Sequence, residues 1–466
     1  MKAIIIGMGE VGKYIASVLT AEKHDVTLVD TDALNLSKAE EMVDALALRG
    51  HGASMRTLRQ ANVKGADLVA AVTNRDEVNL LAALTAKELG ARRTVARVTN
   101  REYLEDDDRG YYHNLLGIDL VVSTQILVAN EIHKLIKSIG AVAVETFADN
   151  RVEMVEIPVK DDARAVGKPL KDLSLPSNTL VAALLREEQV IIPSGGDVVL
   201  AGDAVFLIGR MEKLAEAEKL FGKMRQQEAS KVVIVGGGEI GYSVAKLLES
   251  ESLDVTLIEE DSDRADELAR TLHNTVIING DGTDLKLLRE ERVQYADVFV
   301  ATSGDDEVNL MSSLLAKNLG AKKTVTLVNR PDYIPTYELL GLDATVSPRL
   351  FAANQILKYA REGEVVAVSL LAEGKAEILE LIPQEGSPIV GKPLMDINFP
   401  QGALVAAVAT EDGAVVPDGR HIIRPGNNVV VFTKPDVRSD VERLFRKRMF
   451  SLGSLVGKGK KSSDSN

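Results

Sequence analysis

The chain has 466 residues, 45% of them apolar and 27% charged, with a formal net charge of −14. That length accommodates two to four domains with real cores. The acidic balance excludes a general nucleic-acid binder, which needs a basic face to meet phosphates. Cysteine is absent, so disulfides, thiolate catalysis and cysteine-ligated metals are excluded too. No apolar run approaches the roughly 20 residues of a membrane-spanning helix. The N-terminus lacks a signal-peptide shape, which points to the cytoplasm.

The first predicted element is a short strand, Ala3 to Ile6, that stops at Gly7. Glycines then follow at G-x-G-x-x-G spacing, Gly7-Met8-Gly9-Glu10-Val11-Gly12, and helix-compatible sequence comes next. A second apolar run, Val26 to Val29, ends in Asp30. Strand, glycine turn, helix, strand and acid is the order a dinucleotide site needs. Gly7 permits the tight turn, Gly9 lets backbone approach a pyrophosphate, and Gly12 allows close helix–strand packing. The helix N-terminus presents N–H groups and a positive dipole end to phosphates. Asp30 is placed to accept from ribose hydroxyls and to repel a 2′-phosphate, which favours NAD(H) over NADP(H). Further strands are predicted near 46–49, 68–72, 94–98 and 119–122. A capping-box-like Asn74-x-x-Glu77 opens the helix after Thr73. Alternation of this kind predicts right-handed βαβ crossovers and a parallel sheet covered on both faces.

A strand-rich unit follows. It carries Val152 to Val159, then Gly167-Lys168-Pro169-Leu170, Val181-Ala182-Ala183 and Gly202-Asp203. A charged helical connector, Lys213 to Ser230, leads into a second copy of everything described so far. Gly236-Gly237-Gly238-Glu239-Ile240-Gly241 repeats the glycine turn and Glu259 answers Asp30. Both pairs, Gly7 to Gly236 and Asp30 to Glu259, are separated by 229 positions. Ala66-Asp67 through Leu80 matches Ala296-Asp297 through Leu310, and Gly391-Lys392-Pro393-Leu394 repeats the later block. One glycine fingerprint is weak by itself. Two, each with its acid and the same downstream blocks, define a duplication.

The expected architecture is therefore α/β. Two Rossmann-like doubly wound parallel-sheet domains, at 1–138 and 230–358, are each followed by a small α+β domain, at 139–225 and 359–448. A Gly/Lys/Ser-rich tail at 449–466 is expected to be disordered.

The order glycine fingerprint, acid, AD-x-x-x-A/T, D-E-x-N, A-K-x-x-G and G-K-P-L resembles the RCK (KTN) domains that regulate potassium channels and transporters. Two such units in one chain resemble the regulatory subunits of Trk-type potassium uptake systems, over residues 1 to about 448. The resemblance implies a homotetrameric ring, peripherally associated with the inner face of the cell membrane beneath a potassium-translocating Trk subunit. It also implies NAD(H), with ATP or ADP in either cleft, as the signals that change the ring's shape. Carried over residue by residue, the first cleft would use Gly7, Met8, Gly9, Glu10, Val11 and Gly12 as the phosphate turn. Asp30 would take the ribose, Thr73 and Asn74 would meet the nucleotide, and Arg97 would contact phosphate. The second cleft would use Gly236, Gly237, Gly238, Glu239, Ile240, Gly241 and Glu259. It departs at Leu327, which stands where Arg97 does. Gly280-Asp281 carries a Gly-Asp pair that the first copy replaces with Gly50-His51. The first cleft is therefore expected to be the tighter diphosphate site.

The rival reading is an NAD-dependent oxidoreductase, which needs a proton donor or acceptor held near the nicotinamide. The six histidines (His24, His51, His113, His133, His273 and His421) show neither repeated placement nor evident partners. No catalytic residue and no metal site is therefore expected. A nucleotide-reading transcription factor needs a helix-turn-helix with a basic recognition helix, and no segment supplies one. His51 reads as an ordinary loop residue. Asp76, Glu77 and Asn79 read as helix N-terminal structure.

Overall fold

The first strand, β1 (Lys2–Ile6), is apolar at every position after Lys2 and buried from Ala3 onward, as a strand covered on both faces must be. It lies centrally in a parallel sheet with β2 (Asp25–Asp30), β3 (Leu46–Arg49), β4 (Leu68–Ala71), β5 (Thr94–Val98) and β6 (Leu120–Ser123). The strand order is β3-β2-β1-β4-β5-β6. The computed structural model describes residues 1–100, 103, 116–138, 143–148, 151–187, 189–221, 229–361, 365–371, 375–410 and 413–447. The predicted tail at 449–466 and His113 lie outside the described residues.

Among the described residues of the first Rossmann-like unit, the helices are α1 (Glu10–Ala21), α2 (Ala33–Met42), α3 (Met55–Gln60), α4 (Asp76–Glu88) and α5 (Thr124–Lys137). α1 buries Val11, Gly12, Ile15, Ala16 and Leu19, a stripe at helical spacing facing the sheet. The expected capping box is not formed. α4 starts at Asp76, its N-cap is Arg75, and no side chain caps it. The reason is Asn79, fully buried, whose Oδ1 accepts from the Thr73 N–H at 2.8 Å and whose Nδ2 donates to the Thr73 carbonyl at 3.0 Å. This pins the chain entering α4 beyond Asn74.

The first small sheet holds β7 (Ala143–Phe147), β8 (Val152–Pro158), β9 (Thr179–Arg186), β10 (Gln189–Ile191) and β11 (Ala204–Gly209) in the order β10-β9-β11-β8-β7, all antiparallel. Helix α6 (Met211–Ala217) begins the connector.

The second copy repeats this plan. Strands β12 (Lys231–Val235), β13 (Asp254–Glu259), β14 (Thr275–Asn279), β15 (Val298–Ala301), β16 (Lys323–Leu327) and β17 (Ala344–Val346) form a parallel sheet in the order β14-β13-β12-β15-β16-β17. Its helices are α7 (Glu239–Leu248), α8 (Ser262–Thr271), α9 (Leu285–Glu290), α10 (Asp306–Leu319), α11 (Ile334–Leu339) and α12 (Pro348–Arg361). The second small sheet orders β18 (Val365–Leu371), β19 (Ala376–Leu381), β20 (Ala403–Thr410), β21 (Gly413–Val415) and β22 (Asn428–Thr433) as β18-β19-β22-β20-β21. That is the same topology as the first, and α13 (Arg438–Phe445) follows.

The two copies are joined by an exchange of helices that the repeat pattern does not reveal. α5 leaves the first sheet and packs on α7 of the second copy. Its buried Val128, Ala129, Ile132, Leu135 and Ile136 share one core with Val232, Val244 and Leu248. Conversely, α12 leaves the second sheet and packs on α1. There Ala352, Ala353, Ile356, Leu357 and Ala360 share a core with Ala3, Ile15 and Leu19. Burial of Ile356 and Leu357 alone contributes about 1.5–3 kcal/mol each. The small sheets also meet across a common apolar cluster containing Phe147, Phe206, Ala406 and Phe432.

Candidate nucleotide-binding site

The first sheet reverses its strand order between β1 and β4, and α/β folds open their ligand crevice at such a switch point. Here the glycine turn follows β1 and Thr73 follows β4. A cleft of 740 Å³ opens between them, lined by Gly7, Met8, Gly9, Glu10, Val11, Asp30, Asp32, Asn35, His51, Thr73, Asn74, Arg75 and Arg97, among others. Residues far along the chain complete it: Thr124 and Gln125 from α5, and Ile240, Asn329, Pro348 and Arg349 from the second copy.

The three glycines do three different things. Gly7 has φ +100°, and a β-carbon there would lie 2.8 Å from the Thr73 nitrogen. A β-carbon on Gly12 would lie 1.9 Å from the Gly7 carbonyl oxygen, so this residue sets how closely α1 approaches the turn. At Gly9 a β-carbon would meet nothing within 4 Å. Gly9 is the N-cap of α1 and offers no side-chain cap. The first N–H groups of the helix thus face the open cleft with the positive dipole end behind them, which is an anion site by construction.

Asp30 points inward. One carboxylate oxygen accepts from the Met8 N–H at 2.6 Å and the other from the Asp32 N–H at 2.8 Å. A carboxylate has about four acceptor positions, so these bonds orient Asp30 at the cleft edge and leave lone pairs for a ligand hydroxyl. Thr73 and Arg97 are tied together by Asn79, whose Nδ2 also donates to the Arg97 carbonyl at 2.8 Å. Asn79 therefore holds the ends of β4 and β5 in register beneath the cleft. Asp76 accepts from the Thr99 and Asn100 N–H groups at 2.8 and 2.7 Å.

The Arg97 guanidinium is mostly enclosed, and its buried Nε has no hydrogen-bond partner. Burial lowers its pKa, nearby Asp76 opposes that shift, and the charge of Arg349 adds to it. Thr124 Oγ1 and Gln125 Oε1, in the same cleft, are likewise buried without partners. Orphaned buried polar atoms converging on one cavity, beside uncapped helix N–H groups, fit an anionic, hydroxyl-bearing ligand. His51 lines this cleft, and its Nδ1 accepts from the Ala53 N–H at 3.3 Å.

The second turn has the same skeleton. Gly236 has φ +92°, and a β-carbon on Gly241 would lie 1.9 Å from the Gly236 carbonyl. Glu259 accepts from the Gly237 N–H at 2.6 Å and the Asp261 N–H at 2.9 Å. Asn309 repeats Asn79, accepting from the Ser303 N–H and donating to the carbonyls of Ser303 and Leu327. Asp281 repeats the His51 turn with its carboxylate on the Thr283 N–H and hydroxyl, which hold its pKa below the usual range. One side chain has no counterpart. Arg264, where the first copy has Asn35, lies across the glycine turn. Its Nε donates to the Gly237 carbonyl at 2.9 Å, and it pairs with Glu267 and Glu239. Ile240 lines the first cleft as well as belonging to the second turn.

The sequence singled out Gly7 to Gly12, Asp30, Thr73, Asn74 and Arg97. Gly7 to Val11, Asp30, Thr73, Asn74 and Arg97 line the first cleft, whereas Gly12 does not and packs against the Gly7 carbonyl instead. It missed Arg349, Thr124 and Gln125, because their approach depends on the exchanged helices. It treated Asn79 as helix-start structure, whereas the side chain spans two strands.

Comparison with known proteins follows the same division. The TrkA-N domain model matches residues 3–124 and 232–348, and the TrkA-C domain model matches 154–222 and 378–446. The chain is 37% identical to Trk system potassium uptake protein TrkA homolog 1 of Methanosarcina mazei, over 96% of this chain and all of that one. It is 35% identical to Trk system potassium uptake protein TrkA of Haemophilus influenzae, over 97% of this chain and all of that one. In fold it resembles the solved GsuK channel bound to NAD, with TM-score 0.60 and 18% identity over 95% of this chain and 78% of that one. The GsuK RCK domain is similar at TM-score 0.59 and 17% identity, over 96% and 95%.

Proposed function

The chain belongs to the TrkA family of Trk system potassium uptake proteins, and from that premise we propose that it is a cytoplasmic, nucleotide-sensing regulatory subunit of a Trk-type potassium uptake system. The observation that carries this reading is the first cleft. A glycine turn, an uncapped helix N-terminus, an inward acid and an unpartnered buried arginine converge at the switch point of a parallel sheet.

Gly7, Met8, Gly9, Glu10, Val11 and Gly12 form the phosphate turn, and Asp30 takes the adenosine ribose. Arg97 pairs with phosphate, while Thr73 and Asn74 border the nucleotide. NAD(H) is the ligand the Asp30 carboxylate favours, and ATP or ADP shares the same phosphate turn. The second turn, Gly236, Gly237, Gly238, Glu239, Ile240 and Gly241 with Glu259, is the weaker diphosphate site. Arg264 crosses it and Leu327 replaces the arginine. The nucleotide supplies charge and shape as a signal, and no hydride moves. A bound nucleotide shifts the assembly only through its differential affinity for two states.

The working unit is a homotetramer of chains divided at 1–138, 139–225, 230–358 and 359–448. It is held peripherally on the inner face of the membrane by the potassium-translocating Trk subunit and does not bind nucleic acid. Among the described residues no helix is long and apolar enough to cross a membrane itself.

The test is to identify the nucleotide retained by the purified full chain, then to titrate NADH and ATP into wild type, Asp30→Ala and Arg97→Ala. Both variants are expected to lose about tenfold or more in affinity. Wild-type affinity in both would remove the assignment of the first cleft. Steady consumption of NADH with hydroxy acids or aldehydes would favour the oxidoreductase reading instead.

A further inference from the structure

The outer edge of the first sheet carries a surface that the second copy does not repeat. β3 is the edge strand, and α2 and α3 cover opposite faces of the sheet beside it. Leu36 and Ala39 of α2 share a core with Ile15 and Leu19, whereas Leu58 of α3 shares one with Ala82 and Ala86. α3 buries Thr57 and Leu58 and turns Met55, Arg56, Arg59 and Gln60 to solvent. Met55 is 52% exposed, and Leu46 on β3 is 62% exposed. From Ala45 to Ala66 the chain has four cations, Arg49, Arg56, Arg59 and Lys64, and no acid, although its net charge is −14. Arg49 Nε donates to the Thr31 carbonyl at 3.1 Å, and none of the four cations pairs with a carboxylate among the described residues. Asp67, the next acid along the chain, is turned to the Lys2 N–H and Arg92.

The duplication supplies an internal control. Val276 and Leu285 stand 230 positions beyond Leu46 and Met55, and both are exposed. The charge does not follow them. From Thr275 to Ala296 three cations, Lys286, Arg289 and Arg292, are met by four acids, Asp281, Asp284, Glu290 and Glu291. Lys286 pairs with Glu290 at 3.7 Å. The same strand, turn and helix therefore form with the charge balanced, so the fold does not require an acid-free basic face.

We propose that the β3–α3 face of the first copy docks on the anionic headgroup surface of the membrane. Arg56, Arg59 and Lys64 meet lipid phosphates, while Met55 and Leu46 enter the boundary with the acyl chains. Exposed apolar side chains among cations are the composition that an interfacial contact needs. Each Lys or Arg held at an anionic leaflet strengthens binding about fivefold, an effect that decays within a Debye length. The remainder of the chain is acidic and is repelled by the same leaflet, so this face sets the orientation of approach. Cytoplasmic loops of membrane proteins carry an excess of Lys and Arg, so a basic face is mismatched to them and matched to phospholipid. This contact deepens the reading of the chain as a peripheral membrane subunit and rests on it.

The experiment measures co-sedimentation of the full chain with vesicles of phosphatidylcholine alone and of phosphatidylcholine with phosphatidylglycerol. Wild type is expected to bind only the anionic vesicles, and less as salt rises. Arg56→Glu/Arg59→Glu is expected to weaken that binding about tenfold or more, and the milder Arg56→Gln/Arg59→Gln about fivefold or more. The matched second-copy pair, Lys286→Glu/Arg289→Glu, is expected to stay within about twofold of wild type. All these side chains are exposed, and unchanged thermal unfolding checks that each variant folds. Equal binding of wild type to both vesicle types overturns the lipid contact, and so does an equal loss in the two charge-reversed pairs. If Arg56→Glu/Arg59→Glu loses affinity for the detergent-solubilised Trk subunit but keeps vesicle binding, the face serves a protein and the lipid contact falls. If wild type binds that subunit but no vesicle, the lipid contact falls alone. If it binds neither, the peripheral reading falls with it.

Discussion

Gly9 and Gly12 differ in what a methyl group would meet, and that difference separates binding from folding. Gly12→Ala places a β-carbon 1.9 Å from the Gly7 carbonyl, so the turn must open and α1 must withdraw. A loss of about 2–4 kcal/mol is expected, read as a lowered denaturation midpoint. Gly9→Ala meets no protein atom within 4 Å. It is expected to leave thermal unfolding within about 1 kcal/mol of wild type while abolishing the backbone's approach to phosphate. If Gly9→Ala lowered stability as much as Gly12→Ala, the open face of the turn would be misassigned. Asn79→Ala leaves the Thr73 N–H and two carbonyls without their partners, at a cost of about 2–4 kcal/mol. Asn309→Ala serves as the matched control in the second copy. The glycines and Asp30 are legible in sequence because a turn is local chemistry. The reach of Asn79 to the Arg97 carbonyl is not, because it depends on the distance between two strands.

At the scale of elements, the exchanged helices are each held at their C-terminal carbonyls by a cation from the other copy. Arg93 donates to the Tyr359 and Ala360 carbonyls at 2.9 and 3.2 Å, closing α12. At the matching position, Lys323 donates to the Leu135 and Ser138 carbonyls at 2.7 and 2.8 Å, closing α5. Cations complement the negative end of a helix dipole. Lys323 is fully enclosed, however, and burial pushes its pKa down to about 7 against the pull of Glu218, Asp343 and Glu131. A base with a depressed folded value holds fewer protons than the unfolded chain between about pH 7 and its ordinary value. Stability therefore rises with pH across that window, and the cost of the buried charge is fully present below it. Urea unfolding of wild type and Lys323→Met at pH 6.5 and pH 9 tests this. Wild type is expected to gain about 1–3 kcal/mol relative to the variant at the higher pH, and a pH-independent difference would contradict it. The apolar stripes of α5 and α12 are visible in sequence as helical periodicity. Which sheet they cover is not, since a stripe of Ile, Leu and Ala fits either copy equally well.

At the scale of the whole molecule, the halves are not separable units. The repeat suggests a chain that can be cut near Ser230 to study each cleft alone. The exchange of α5 and α12 denies this, because residues 1–230 lack Ile356 and Leu357 over α1 and expose the apolar face of α5. An isolated first half is expected to pair with a second copy of itself, each covering the other's α1, and light scattering would report a dimer. A folded monomer would contradict the exchange. The first cleft is also completed by Ile240, Asn329 and Arg349, so nucleotide binding is a property of the joined chain. That dependence gives the ligand a route to the assembly: what enters the first cleft touches both copies. The most direct measurement is potassium flux through the membrane Trk subunit reconstituted with the full chain, with and without ATP and NADH, for wild type and Gly9→Ala. The wild-type protein is predicted to make flux nucleotide-dependent, and Gly9→Ala to remove that dependence while still associating. Nucleotide-dependent flux that persists unchanged in Gly9→Ala would contradict the account.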